Sequence, residues 1–502
     1  MELVNTLDLL LNGIISMLSF SDLFWVVIGA VFGTLIGSMP GLGPNTGVAV
    51  LLPLTFAMPS DSGILLLISI YLGCMYGGRI SSILINAPGD AAAIMTCMDG
   101  YPLMQAGRGG VAMGISAFSS FIGGMIGIIF MTFFAPLLAK AALAFGPPEY
   151  FAVMIFSLIA ISSVTEGSSR KGLIMVVFGL LLAMVGSDFV SGKARLTFGI
   201  PYMLDGIDFV PVAIGVFGLS EVLIGLEKSL SERVLNFSLK LSTLFPTPAD
   251  IRESLRGTLT GSVVGLVVGI LPGAGATLST FAAYGAAKKV SKKPELFGKG
   301  SVEGIAAPEA ANNACVAGAL TPMLALGIPG SSVAALIMGG FIIHDLQPGP
   351  LMFVKTPDVA WGIIGGLYIA NVVLLLVNTA MIPLFVATIR AAQPILYPLV
   401  GLLCVIGVYS VHGSMFDVWV MLIFGGLGFL MKKGGYPLAG LLLALILGPS
   451  IENTFRQSLI MANGDYGIFL TRPISLILVI LTVLFLSYPL IKVQFAKKFK
   501  EA

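Results

Sequence analysis

Residues 36 to 44 read Ile36-Gly-Ser-Met-Pro-Gly-Leu-Gly-Pro44, and a similar run, Val268-Gly-Ile-Leu-Pro-Gly-Ala-Gly275, recurs in the second half of the chain. Each run closes an apolar segment with spaced glycines, and each is followed by another Pro-Gly pair. The predicted helix breaks are Pro40, Gly41, Pro88, Gly89, Pro272, Gly273, Pro329 and Gly330. Such breaks free backbone groups that lipid cannot satisfy, so they are tolerated only where protein or a water-filled cavity receives them. Two broken segments in each half point to the central binding site of a transporter.

The composition excludes an ordinary soluble domain. Of the 502 residues, 57% are hydrophobic and only 10% are charged, whereas soluble domains carry about 25% charged residues. The mean hydropathy is +1.00. Long apolar runs follow one another with short polar gaps, and a run of about 20 residues spans the hydrocarbon core. We therefore predict an all-α polytopic membrane protein with roughly 11 to 14 membrane segments, in two repeats with broken or re-entrant helices.

Polar stretches divide the chain into four parts. We predict an N-terminal half over residues 1–226, a polar cytoplasmic linker over 227–256, a second repeat over 257–391 and C-terminal helices over 392–502. A loop with five lysines spans 286–300, and the chain ends with three more, at 497, 498 and 500. The positive-inside rule places these basic stretches and the linker on the cytoplasmic side.

Loop charge also predicts how the two repeats are related. The loop after the first break, Ala57 to Gly63, has no basic residue, whereas its counterpart after residue 286 is rich in lysine. Equivalent loops of opposite charge character should lie on opposite sides of the membrane. This predicts inverted repeats related by a pseudo-two-fold axis in the membrane plane, with a parallel repeat as the alternative.

Short polar side chains cluster around all of the breaks. The predicted substrate- and ion-binding residues are Asn45, Thr46, Ser81, Ser82, Asn86, Asp90, Glu309, Asn312, Asn313, Ser331 and Ser332. Carbonyl oxygens and half-helix C-termini can coordinate Na⁺, while half-helix N-termini attract carboxylates. The sequence predicts no certain metal site and leaves Na⁺ binding open.

Each of these residues has an alternative interpretation as a helix cap. Pro-Gly-Asp or Pro-Gly-Ser before an apolar run is a helix start, with Asp90 or Ser331 as the N-cap. Glu309 could cap a helix that begins at Pro308. Asp90 and Glu309 remain the sharper candidates, because carboxylates inside a membrane are costly and usually functional.

Three further residues have open roles. Arg79 lies inside an apolar stretch, where it could pair with a substrate carboxylate, snorkel to the interface or form an ion pair. His344 and His412 lie near the ends of apolar segments, and either could relay protons or be a surface or packed residue.

Several energy sources and reaction types have no motif in this chain. The sequence lacks a phosphate-binding loop, a His-Glu-x-x-His helix and a Gly-x-Ser-x-Gly elbow. We therefore expect no enzyme activity and no cofactor, and we expect transport to be driven by an ion gradient, of Na⁺ or H⁺.

At the breaks the sequence resembles the large membrane subunit of the tripartite tricarboxylate transporter family, and the resemblance covers essentially the whole chain. The matching motifs are Gly37-Ser-Met-Pro-Gly-Leu-Gly-Pro44, Gly77-Gly-Arg-Ile-Ser-Ser-Ile-Leu-Ile-Asn-Ala-Pro-Gly89, Gly298-Lys-Gly-Ser-Val-Glu-Gly-Ile-Ala-Ala-Pro-Glu-Ala-Ala-Asn-Asn-Ala314, Leu326-Gly-Ile-Pro-Gly-Ser331, His344-Asp-Leu-Gln-Pro-Gly-Pro350, Gly435-Tyr-Pro-Leu-Ala439 and Gly448-Pro-Ser-Ile-Glu-Asn453. Long ordered motifs of this kind rarely coincide in unrelated membrane proteins.

The resemblance implies a multi-pass secondary transporter of the bacterial inner membrane. Its expected partners are a small membrane subunit of about four helices and a periplasmic solute-binding protein that delivers a small carboxylate, such as a citrate-like tricarboxylate. A homodimer is left open, and no nucleic acid is expected. The alternatives are a channel-like or binding-protein-independent carrier for organic anions, an intramembrane enzyme, and a scaffold subunit without a site of its own.

Overall fold

A computed structural model describes residues 2–164, 168–188, 190–227 and 246–501. The structure is 80% helical. The helices of the first half are α1 (Glu2–Ser16), α2 (Phe20–Gly37), α3 (Pro44–Leu51), α4 (Ser60–Ile85), α5 (Ile94–Gln105), α6 (Gly109–Ala142), α7 (Pro147–Val164), α8 (Ser169–Ala183), α9 (Phe209–Ala213) and α10 (Ser220–Glu227). A π-helical turn, Ile214–Leu219, joins α9 to α10.

The second half continues with a further series of helices. They are α11 (Pro248–Ile270), α12 (Gly275–Val290), α13 (Val302–Leu326), α14 (Ser332–Ile343), α15 (Met352–Lys355), α16 (Pro357–Ala380), α17 (Ile382–His412), α18 (Met415–Lys433), α19 (Ala439–Met461), α20 (Ile468–Thr471) and α21 (Pro473–Glu501). Short 3₁₀ turns occur at Leu52–Ala57, Ala91–Ala93, Pro201–Met203 and Pro294–Leu296.

The helix lengths confirm a polytopic all-α membrane protein. Within the described residues, six helices are long and apolar enough to cross a membrane: Phe20–Gly37, Ser60–Ile85, Gly109–Ala142, Phe209–Glu227, Pro357–Ala380 and Met415–Lys433. Five apolar helices of the described part are shorter, and two of them, Pro44–Ala57 and Ser332–Ile343, directly follow predicted breaks. The one departure from a purely helical chain in the described part is an antiparallel pair of two-residue strands, β1 (Gly186–Ser187) and β2 (Ala194–Arg195).

The two predicted repeats share one packing scheme. In each repeat, a glycine-spaced helix lies directly against the backbone of the second long helix, α2 on α4 and α11 on α13. The equivalent contacts are Gly33 on Ile70, Gly37 on Cys74, Gly265 on Ala311 and Gly269 on Cys315. Any Cβ at these glycines would overlap a backbone atom, so small residues set how closely the helices approach in lipid.

The ends of the repeats meet head to tail. On α5, Asp99 Oδ1 accepts hydrogen bonds from the N–H groups of Gly298, Gly300 and Ser301, at 2.7–2.9 Å, immediately before α13 begins. At the other end, the His344 imidazole that follows α14 lies against Gly63 in the first turn of α4. Helix α5 thus contacts the start of α13, and the end of α14 contacts the start of α4.

The predicted four-part division of the chain is only partly visible in the structure. The polar linker, 227–256, falls largely on residues 228–245, which lie outside the described residues. Its last part forms the first turns of α11, where Thr247 and Asp250 make a capping box. The other proposed boundaries stay predictions.

Candidate functional site

The two breaks of each repeat are joined by the same hydrogen bond. In the first repeat, the N–H of Gly41 donates to the carbonyl of Gly89 at 3.0 Å. In the second, the N–H of Gly273 donates to the carbonyl of Gly330 at 2.9 Å. In each repeat, one backbone N–H and one carbonyl group freed by the breaks therefore bond to each other, because lipid offers them no partner.

These positions require glycine for two reasons. Gly41 and Gly273 have φ of +89° and +83°, a region that other residues rarely adopt. A Cβ on Gly89 would lie 1.9 Å from the carbonyl oxygen of Gly37, and a Cβ on Gly330 would lie 2.8 Å from the Cα of Ala319. The repeated Pro-Gly pairs are thus explained by backbone geometry in both halves.

Capping accounts for part of the predicted polar cluster. Asp90 accepts a hydrogen bond from the N–H of Ala93, and Ser331 accepts one from the N–H of Ala334, each at 3.1 Å. The capping interpretation of Asp90 and Ser331 is therefore confirmed, and their role in binding stays a prediction. Asn86 ends α4 in a left-handed conformation with φ of 54°, and its side chain is exposed.

The capping interpretation of Glu309 is wrong. Helix α13 begins seven residues earlier, at Val302, with Ser301 as its N-cap, and Pro308 lies inside the helix. Glu309 is instead fully buried, with 1% of its surface exposed. Its Oε1 accepts from Thr96 Oγ1 at 2.5 Å, and its Oε2 accepts from Ser120 Oγ at 3.0 Å. The carboxyl thus joins α13 to α5 and α6.

The long helices α4 and α13 contact each other one turn beyond Glu309. Asn312, which is 2% exposed, donates from Nδ2 to the carbonyl oxygen of Met75 at 3.4 Å. The Tyr71 hydroxyl, one turn earlier on α4, lies beside the side chain of Ser331. This contact brings a break of the second repeat against the second long helix of the first.

Three of the predicted amide side chains have buried oxygens without a hydrogen-bond partner: Asn45 Oδ1, Asn312 Oδ1 and Asn313 Oδ1. A buried carbonyl oxygen without a donor is costly, because it has lost its hydration without replacement. Such an oxygen can accept from a cation, a hydroxyl group or water, but it cannot bind a carboxylate directly. These three oxygens are therefore candidate acceptors for a ligand.

The other predicted hydroxyl residues bond within the protein. Thr46 donates to the carbonyl oxygen of Phe217 in the π-helical turn, which fixes α3 in place. Ser81 and Ser82 donate to the carbonyl oxygen of Gly78, and Ser82 also donates to that of Ala93. Ser332 is half-buried in the first turn of α14. The hydroxyl groups of Thr46, Ser81 and Ser82 therefore stabilise the backbone next to the breaks.

Among the described residues, Arg79 neither snorkels to the interface nor forms an ion pair in direct contact. It is 0% exposed, so it does not snorkel, and all of its N–H groups donate to neutral acceptors. Those acceptors are the carbonyl oxygens of Tyr76, Met113 and Asn378, together with Ser116 Oγ and Asn378 Oδ1. With five donors already used, the guanidinium has no donor left for a substrate carboxylate.

The two histidines lie at the ends of their helices. His412 contacts Asp417 at 2.9 Å, and His344 forms the C-cap of α14.

Sequence reasoning did not select Thr96, Ser120 or Asn371, which complete the buried polar network. Asn371 accepts from the hydroxyl of Tyr76 at 3.2 Å and donates to the carbonyl oxygen of Phe121 at 3.0 Å. The sequence signal that could have found these three residues is a polar side chain inside an apolar run.

No group of three or more His, Cys, Asp or Glu side chains in the described part of the chain could hold a metal ion. The four cysteines, Cys74, Cys97, Cys315 and Cys404, are free thiols.

Comparison with known proteins identifies relatives over nearly the full chain. Residues 23–443 match the model of the tripartite tricarboxylate transporter TctA family. A protein of Agrobacterium vitis, described as an uncharacterized 52.8 kDa protein in the TAR-I ttuC' 3' region, is 38% identical over 475 residues, covering 95% of this chain and 94% of that protein. A second, described as an uncharacterized protein in the TAR-II ttuC' 3' region, is 40% identical over 205 residues, covering 41% of this chain and 85% of its own length. No solved structure matches the chain.

Proposed function

Because the chain belongs to the tripartite tricarboxylate transporter TctA family, we propose that it is the large membrane subunit of an ion-driven carboxylate importer. The family is one of transporter components, in a system that also has a binding protein and a small membrane subunit. The observation that carries the proposal is the pair of bonded breaks, Gly41 to Gly89 and Gly273 to Gly330, beside a buried polar network.

The substrate is proposed to be a small carboxylate, citrate-like or a related organic acid, bound near the bilayer midplane between the repeats. Half-helix N-termini after Asp90 and Ser331 offer positive dipole ends to its carboxylates. The unpartnered oxygens of Asn45, Asn312 and Asn313 offer acceptors to a coupling cation or a substrate hydroxyl.

The repeats are proposed to be inverted. The head-to-tail contacts of Asp99 with Gly298 and of His344 with Gly63 support this relation, as does the charge contrast between the equivalent loops. The lysine-rich loop after α12 then faces the cytoplasm of a bacterium, and the protein lies in the inner membrane. The solute-binding protein would approach from the opposite, periplasmic side.

Reconstituted uptake tests the proposal. Proteoliposomes would contain this subunit with its small membrane partner, and the cognate binding protein would be added outside with labelled citrate and related di- and tricarboxylates. Sodium and pH gradients would be imposed separately. Accumulation that requires both the binding protein and one ion gradient supports the importer, whereas downhill flux that ignores the binding protein supports a channel-like or unassisted carrier.

A further inference from the structure

Among the described residues, the carboxyl oxygens of Glu309 accept hydrogen bonds from neutral side chains. Both donors, Thr96 Oγ1 at 2.5 Å and Ser120 Oγ at 3.0 Å, are hydroxyl groups from other helices. A hydroxyl can donate to an ionised carboxylate or accept from a protonated one by rotating its own hydrogen. The same cage can therefore hold Glu309 with or without a proton.

Arg79 acts on Glu309 electrostatically, without a hydrogen bond between the two side chains among the described residues. Arg79 and Glu309 interact electrostatically, yet every hydrogen bond of the Arg79 guanidinium goes to a neutral acceptor. Both side chains are fully buried, where charges interact over longer distances than in water. The charge of Arg79 is therefore balanced at a distance, and only while Glu309 is ionised.

Other titratable groups also face Glu309 from the elements packed against it. They are Asp90 from the second break, Tyr76 from α4 and Cys97 from α5. Asp90 is the one further acidic side chain of this group, and it lies at the break itself. From α6, the neutral Ser120 donates to the carboxyl, and from α13, the neutral Asn313 donates to the backbone carbonyl of Glu309.

We propose that Glu309 is the proton carrier of this transporter, a step that rests on the proposed importer function. When Glu309 takes up a proton, its carboxylate becomes a neutral carboxylic acid, and the positive charge of Arg79 is left without balance. An anionic substrate at the adjacent breaks then restores the balance. By linkage, the bound carboxylate favours protonation of Glu309 as much as the proton favours the carboxylate. Proton and substrate therefore cross together.

Counterflow at equal pH on both sides isolates this coupling from the driving force. Vesicles with the complete three-part system would exchange internal unlabelled substrate for external labelled substrate over a range of pH. We expect wild-type counterflow to fall as pH rises, because substrate binding needs protonated Glu309. In Glu309→Gln, which is permanently neutral, the pH dependence should disappear whatever the remaining rate.

Net uptake provides the second readout. With a pH-sensitive dye inside the vesicles, an inward carboxylate flux of the wild type should bring protons with it. Glu309→Gln should lose acid-driven accumulation by about tenfold or more, the scale expected when a coupling of 1–3 kcal/mol is removed. Glu303→Gln is the matched control, because Glu303 lies in the first turn of the same helix and its carboxylate accepts from the Ser291 hydroxyl, away from Glu309.

Ser120→Ala tests the hydroxyl cage if Glu309→Gln does not reach the membrane. Removing this donor makes the ionised carboxylate less stable, so the fall in counterflow should shift to higher pH. A pH profile identical to that of the wild type would overturn the inference.

Two other outcomes separate this inference from the proposed function. Accumulation by a sodium gradient alone, without proton entry, would overturn the role of Glu309 while the importer stands. Failure of the wild type to accumulate any carboxylate under either gradient would overturn the importer itself, and with it this inference.

Discussion

The two repeats of this protein share their backbone and differ in their chemistry. The same glycine contacts join α2 to α4 and α11 to α13, and the same Gly–Gly hydrogen bond joins the breaks of each repeat. The side chains at matching places are different. When the sequences of the two repeats are aligned at Pro88 and Pro329, the positions of Glu309 and Asn312 on α13 correspond to Ile68 and Tyr71 on α4. Duplication thus supplies the frame, and departures from it supply the candidate site.

The glycine at the second break gives the largest expected effect. In Gly89→Ala, the new methyl group would meet the carbonyl oxygen of Gly37 at 1.9 Å, so backbone must move. Overpacking of this kind costs about 1–3 kcal/mol and occasionally more. We expect Gly89→Ala to lose most folded protein, measured as thermal unfolding in detergent.

The equivalent substitution in the second repeat sharpens the comparison. Gly330→Ala should be milder, because its closest contacts are 2.8 and 3.0 Å. Gly285→Ala, on exposed α12 surface with nothing within 4 Å of the new methyl, is the control and should unfold like the wild type. A Gly89→Ala variant as stable as Gly285→Ala would show that the breaks do not approach as described.

Arg79→Leu makes the first repeat resemble the second, which has Leu320 at the matching position. The substitution leaves the acceptors on Met113, Ser116 and Asn378 without their guanidinium donor. The Met113 carbonyl keeps the Ser116 hydroxyl as a donor, but Asn378 Oδ1 loses its guanidinium donor, and a buried acceptor left unsatisfied costs about 1–3 kcal/mol. We expect a lower unfolding temperature than that of the wild type, and weaker carboxylate binding if the protein still folds. Unchanged stability would mean that the guanidinium is not held by these acceptors.

Removing a helix N-cap should lower the stability by a smaller amount, and the N-cap residue of one repeat should work in the other. Asp90→Ala and Ser331→Ala should each destabilise the protein by about 1 kcal/mol, the usual value of a lost N-cap. Asp90→Ser should restore the cap of the first repeat in the form used by the second. If Asp90→Ser unfolds as early as Asp90→Ala, Asp90 stabilises this region by something other than capping.

The smallest effect is expected at the end of α4. Asn86 has φ of 54°, and the matching residue of the second repeat is Gly327 with φ of 72°. Because glycine adopts this conformation without a steric penalty, Asn86→Gly should change stability by a few tenths of a kcal/mol at most. A large loss in thermal stability would show that the Asn86 side chain makes contacts that its exposed position does not suggest.

The repeats and their breaks could be predicted from sequence because Pro-Gly pairs and spaced glycines are local signals. The fold class followed from long apolar runs in the same way. The inverted relation of the repeats could be predicted only from loop charge. The positive-inside rule assigns loops to one side of the membrane and says nothing about which helices contact each other.

The polar network could not be predicted, because its partners are far apart in the chain. Thr96 and Glu309 are separated by 213 residues and Ser120 and Glu309 by 189, and no local pattern pairs them. Glu309 was selected as an intramembrane carboxylate, but its alternative role as a helix cap was wrong because α13 starts at Val302. Most of the neutral acceptors of Arg79 lie on α6 and α16. The sequence around Arg79 therefore could not show whether the guanidinium pairs with an acid.

The central claim is that the polar side chains at the repeat interface form the transport site. It is tested most directly by carboxylate uptake in the three-part proteoliposomes with Asn86→Ala and Asn312→Ala. Asn453→Ala, an exposed residue of α19, serves as the control. We predict that Asn312→Ala lowers uptake by about tenfold or more at normal expression, while Asn453→Ala does not. Uptake at the wild-type rate in both Asn86→Ala and Asn312→Ala would contradict the site.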